Sequence, residues 1–137
     1  MAADAEPDVG AAEGSAQVKG EAAQRTEDTE QNPLSPRLLV ERYLEYVRVE
    51  KRLAARTVEL YALDLQKLQE HAATVPVPLT KVRNAHIRRW VAQMHSGGRS
   101  GRGIALILSG WRGFYTWLGR EGLVDSNPVV DVRSPKA

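Results

Sequence analysis

Between Gly101 and Gly119 the chain places side chains suited to holding phosphate on one side of a predicted helix. At about 100° per residue, Arg102, Ser109, Arg112, Gly113 and Thr116 gather together, opposite a broad stripe of Ile104, Ile107, Leu108, Trp111, Phe114, Tyr115 and Leu118. Guanidinium forks, hydroxyls and backbone N–H groups bind phosphate oxygens. An interior helical glycine costs ~1 kcal/mol, and a glycine facing outward removes bulk from the surface. The expectation is a helix whose backbone lies close to a large polyanion. Arg99, on the approach to this helix, belongs to the same candidate set, as do Arg56 and Thr57 at the start of an earlier helix, where a helix N-terminus is a natural phosphate site. Tyr61, one turn further on, suits either a core position or a contact with a base or phosphate.

Covalent and metal chemistry find little support. The chain has no cysteine, which excludes disulfides, thiolate metal sites and a Cys nucleophile, and fits a reducing compartment. His71, His86 and His95 have no metal-ligand spacing. No apolar run reaches the ~20 residues that span a bilayer, and the N-terminus lacks a signal-peptide pattern. The expectation is a cytoplasmic protein with no cofactor, no bound metal, no membrane partner and no small-molecule substrate.

Charge is divided unevenly along the 137 residues. Residues 1–33 carry eight acids against Lys19 and Arg25, and residues 34–137 carry 17 basic and 9 acidic residues, a surplus that fits a nucleic-acid partner. Residues 1–33 have no aromatic side chain, and the composition predicts a disordered acidic tail.

Four helices are expected to position the basic residues. The first starts at Ser35-Pro36, with Ser as cap and Pro at the first turn, and runs to about Lys51 with Val40, Tyr43, Leu44 and Val47 inward. Arg48, Lys51, Arg52 and Arg56 crowd its exit. The second spans about Ala55 to Ala73, with Val58, Tyr61, Ala62, Leu65, Leu68 and Ala72 inward. After the loop of Pro76 and Pro78, Asn84 reads as the cap of a third helix ending near Ser96, with Ile87, Trp90, Val91 and Met94 inward. The Gly101–Gly119 helix is the fourth. No segment alternates convincingly as a strand. The expected organisation is a tail at 1–33, a helical domain at 34–125 and an extended exit at 126–137.

The words VERYLEYVRVEKRLAARTVELYALDL, LSGWRGFYTWLGREGLVDSNPV and VRSPKA, in this order and spacing, resemble the N-terminal core-binding (SAM-like) domain of bacterial tyrosine recombinases of the XerC/XerD type. The resemblance covers roughly residues 38–137. It implies an all-α, small four-helix orthogonal bundle, one jaw of a DNA clamp, whose second and fourth helices cross the major groove of a recombination site. It also implies other recombinase protomers as partners in a tetramer, with strand cleavage through phosphotyrosine in a catalytic domain absent from this chain, and a role of the chromosome dimer resolution type. His86-Ile87-Arg88-Arg89 matches the spacing of a catalytic His-x-x-Arg element of that absent domain, and it is read as accidental. Gly103 and Leu106 stand where relatives commonly carry serine and arginine. A second expectation, a helical protein-interaction domain joining recombinase protomers, rests on Leu60, Leu63, Leu106 and Trp117, apolar residues off the main faces.

Overall fold

The computed structural model describes residues 32–136, so the acidic tail expected at 1–33 lies almost wholly outside the described residues. The described residues form four α-helices and a short 3-10 turn, with no strand among them: α1 (Pro36–Val49), α2 (Ala55–Thr74), the turn Leu79–Lys81, α3 (Asn84–Ser96) and α4 (Gly101–Arg120). The chain divides between Leu39 and Val40. On the N-terminal side Ser35 starts α1 as expected, its Oγ accepting from the Leu38 N–H at 3.3 Å.

Within Val40–Ala137, helical periodicity places the core. Val40, Tyr43 and Val47 of α1, Leu65, Leu68 and Ala72 of α2, and Ile87, Trp90, Val91 and Met94 of α3 are buried, and all seven residues of the expected α4 stripe join them. Leaving α1, Arg52 adopts a left-handed φ of 56°, and the Leu53 N–H returns to the Val47 carbonyl at 3.1 Å. This reversal sets the start of α2 close to the end of α1.

Two expectations about local structure change. Asn84 is the first residue of α3 and not its cap. The cap position is Arg83, whose N–H donates to His86 Nδ1 at 2.9 Å, while Asn84 Nδ2 donates to the Pro128 carbonyl at 3.1 Å. His86 thus closes a helix end. Trp117, expected off the core, is 6% exposed. Its ring lies 5.6 Å from Tyr43, and the Arg42 guanidinium stands over it at 5.4 Å. The turn of α4 around Trp117 is apolar on two sides because α1 covers the second one.

Trp90 and Trp111 meet edge to face at 6.3 Å at the centre, and the rings of His71 and His86 lie 5.5 and 5.7 Å from Trp90. Burial disfavours the charged form of His71 and lowers its pKa from the ordinary 6.5, opposed by Glu70 and a hydrogen bond with Gln93 and reinforced by Arg99. The unfolded chain therefore binds a proton more readily than the folded one, so stability is complete above about pH 6.5 and falls as the pH drops below it. Asp64, raised from 3.8 by burial, acts with the opposite sign in a more acidic window. Urea midpoints measured from neutral pH down to the carboxylate range are expected to decline below about pH 6.5, and His71→Gln is expected to flatten that limb.

Candidate nucleic-acid interface

The site is built on the seam between α2 and α4. Trp111 Nε1 donates to the Asp64 carbonyl at 2.7 Å, and a Cβ added at Gly110 would fall 2.7 Å from Asp64 Oδ2, so a larger residue there would have to displace the Asp64 side chain. Tyr61 shares a cavity with Gly113, Asp64 meets Gly110, and Arg99 acts on His71. This order makes the two helices antiparallel.

Gly113 was expected to face outward beside the basic residues, and the structure corrects this. A Cβ there would fall 2.9 Å from Tyr43 Oη, so the glycine makes room for α1. The cavity beside it, about 250 Å³, is lined by Tyr43, Tyr46, Tyr61, Lys51 and Arg120 among others, with no carboxylate or histidine to form an acid–base pair. Burial and the neighbouring phenols push the Tyr43 hydroxyl up to about 12. Tyr46 Oη accepts from Arg120 Nη1 at 2.8 Å.

The other candidate residues are distributed as follows. Arg102 and Ser109 are exposed on the N-terminal half of α4 and Arg99 just ahead of its cap, and Arg56 is exposed and Thr57 half-buried at the start of α2. Arg56 Nη1 donates to Glu59 Oε1 at 3.1 Å, an exposed pair that contributes little to stability. Tyr61 is half-buried in the cavity wall. The seven candidates therefore do not converge on one point. Arg56 and Thr57 stand at one end of the seam, and Arg99 and Arg102 at the other.

Each of those two ends is a helix N-terminus. The N-terminus of a helix is its positive pole and favours acids in the first turn. None of the four α-helices has an acid there, and arginines stand at the starts of α2 and α4 as Arg37 and Arg83 do at those of α1 and α3. Ser100 Oγ accepts from the Gly103 N–H at 3.0 Å, so a neutral hydroxyl caps α4. Arginine beside a positive pole costs the isolated fold some stability, and an anion docking there would relieve it. Between the ends, Lys67 and Arg99 partly offset the raised pKa of the half-buried Asp64.

Arg112 differs from the rest. It is half-buried, and its Nη2 donates to the carbonyls of Val129 and Val132 at 3.4 and 3.2 Å. Asn127 Nδ2 adds bonds to the Arg112 carbonyl at 3.1 Å and to Thr116 Oγ1 at 3.2 Å. Val129 and Val132 are 0% and 2% exposed, so the exit expected at 126–137 packs into the core as far as Val132. The apolar spacing of Val129 and Val132 was the available signal, masked by Asn127-Pro128 and Ser134-Pro135. Arg112→Ala is expected to cost about 1–2 kcal/mol through the removal of these bonds. Amide exchange at Val130 and Val132 should accelerate while that of α1 stays unchanged, as read by hydrogen-exchange NMR.

Among the described residues there is no group of three potential metal ligands and no helix long and apolar enough to cross a membrane. A helical module of the SAM-like kind, with a long antiparallel helix pair carrying arginines at both positive poles, is the class this architecture defines. The chain belongs to the family described as phage integrase, N-terminal SAM-like domain, which it matches over residues 40–122. It is 40% identical over 114 residues to tyrosine recombinase XerC 1 of Ralstonia nicotianae, an alignment covering 81% of this chain and 35% of the relative. It is also 40% identical over 108 residues to tyrosine recombinase XerC of Ralstonia pickettii, covering 75% of this chain and 32% of that protein. An integrase from mycobacterium phage Brujita shares the fold with a TM-score of 0.59 and 25% identity, over 72% of this chain and 32% of that one. The chain thus spans about one third of the length of the relatives named here.

Proposed function

We propose that this chain binds double-stranded DNA through the outer face of α2 and α4, as the clamp half of a XerC-like tyrosine recombinase. The observation that carries the reading is the placing of Arg56 on the positive pole of α2 and of Arg99 and Arg102 on that of α4. From Arg56 to the level of His71 the seam runs about 22 Å at ~1.5 Å per residue, longer than the ~12 Å width of a major groove. The two poles can therefore reach phosphates on opposite walls. Arg56, Thr57, Arg99, Arg102 and Ser109 are assigned to the duplex, Tyr61 to the edge of the contact, and Arg112 to holding the C-terminal segment. In this reading the duplex is a recombination site, and strand cleavage belongs to the part of the relatives' length that this chain does not align with. The assembly is a tetramer of protomers acting in the cytoplasm on chromosome dimers.

Fluorescence anisotropy with labelled duplexes at rising salt tests the reading. Phosphate-dominated binding is expected to weaken linearly in log K against log salt, and an absence of salt-dependent binding at low ionic strength would refute it. A second reading, protomer-to-protomer contact, draws on Leu60, Leu63 and Leu106, which are 43%, 49% and 66% exposed. Concentration-dependent sedimentation of the chain without DNA would favour it.

A further inference from the structure

Those three leucines lie where a duplex-binding surface would ordinarily carry hydrogen-bonding side chains. Gly110 and Asp64 meet at the seam, and residues three or four away along a helix share its side. Leu60 is thus one turn before Asp64 on α2, Leu106 is one turn before Gly110 on α4, and Leu63 sits on the outer surface of α2 beside them. All three are exposed, and Leu106 is the most exposed large apolar residue among those described. They occupy the middle of the face, between Arg56 at one pole and Arg99 and Arg102 at the other.

That placement decides what the face can distinguish. The cationic poles hold phosphates, which carry no sequence information. Base edges in the major groove are told apart by donors, acceptors and the thymine C5-methyl group. Around the leucines the polar side chains are the exposed Glu59 and Gln66, one turn either side of Leu63, with Lys67 and the half-buried Asp64 on α2 and Ser109 on α4, and Glu59 is already engaged by Arg56. Three branched apolar side chains cannot pair with a donor or acceptor, and they would desolvate one at a cost. Against a thymine methyl they bury apolar surface on both partners. Gly103, half-buried three residues before Leu106, adds no bulk that would hold Leu106 away from a groove floor. Because the patch is small and has Arg56, Lys67 and Arg102 within a turn of its leucines, with Glu59 neutralised by Arg56, its chemistry fits a polyanion with methyl groups in its groove better than an apolar protein surface.

We infer that Leu60, Leu63 and Leu106 form a thymine-methyl reader, so that this chain prefers duplexes with thymines facing the α2–α4 seam. The inference rests on duplex binding by this face and adds the base feature that is read.

Replacing thymine by deoxyuridine removes the methyl and leaves pairing and charge untouched, so it isolates the proposed contact. The full 137-residue chain would be used to enrich duplexes from a randomised pool made with thymidine, and the enriched duplexes would be remade with deoxyuridine at single positions. One or more substitutions are expected to weaken binding about three- to fourfold each, the effect of one buried methyl-sized group. Leu106→Ala or Leu60→Ala should bind the thymine and uracil duplexes alike at the affected position. Equal affinity of the wild-type chain for thymine and uracil duplexes, with salt-dependent binding intact, would overturn the methyl reader and leave DNA binding standing. Absence of salt-dependent binding to any duplex would instead bring down the underlying reading. DNA-free self-association abolished by Leu63→Glu would also overturn the inference, by giving the leucines to a second copy of the chain.

Discussion

Replacing Trp111 with Ala is expected to remove about 3–5 kcal/mol of stability, the usual cost of truncating a buried Trp. The side chain is 0% exposed, packs edge to face on Trp90 at 6.3 Å, lies 6.1 Å from His71 and ties α4 to α2 through its 2.7 Å bond to the Asp64 carbonyl. The truncation opens a cavity at the point where α2, α3 and α4 meet. It also deletes the polar link beside the Gly110–Asp64 contact, where the Asp64 side chain already sits against α4. A domain of this size has about 5–15 kcal/mol in total, so thermal unfolding should shift down on the order of 20 °C. Leu106→Ala, at a position 66% exposed, is the matched control and should move stability by less than about 0.5 kcal/mol. Calorimetry of the two variants reads the contrast directly.

The second large effect concerns affinity. The double substitution Arg99→Ala with Arg102→Ala is expected to weaken duplex binding by about ten- to a hundredfold at low salt and to lower the log K against log salt slope by about 2, one for each phosphate that an arginine no longer neutralises. Both residues are exposed at the start of α4, and Arg102 lies in its first turn, where no acid is found. Their charge is unfavourable to the helix pole they occupy, so the thermal midpoint should not fall with the affinity. That opposite behaviour separates a binding residue from a structural one. Arg112→Ala gives the converse pattern, because its guanidinium is held by the Val129 and Val132 carbonyls. It should lose stability and keep its salt slope.

Helix by helix, the fold was legible because each helix has a single dominant apolar stripe. Val40, Tyr43 and Val47, then Ile87, Trp90, Val91 and Met94, then the α4 stripe, all follow from a period of 3.6. Illegible were the features set by how helices approach one another. A periodicity counted along one helix cannot show that α1 covers a second side of α4, which is why Trp117 is buried and Gly113 faces Tyr43. Nor can it show that an arginine on the polar side meets a returning chain, as Arg112 does. Arg99 and Arg102 were legible as a pair because they are adjacent to a helix start in the sequence itself, and their separation from Arg56 along an antiparallel seam needed the fold.

The central claim is that the outer face of α2 and α4 is the DNA surface. An NMR titration of the isotopically labelled chain with a duplex carrying a recombination site tests it most directly. Amide shifts should concentrate at residues 56–67 of α2 and at residues 99–109, the approach to α4 and its first half, and they should reverse on raising the salt. Shifts confined to α3, around the exposed Arg88 and Arg89, would contradict the account.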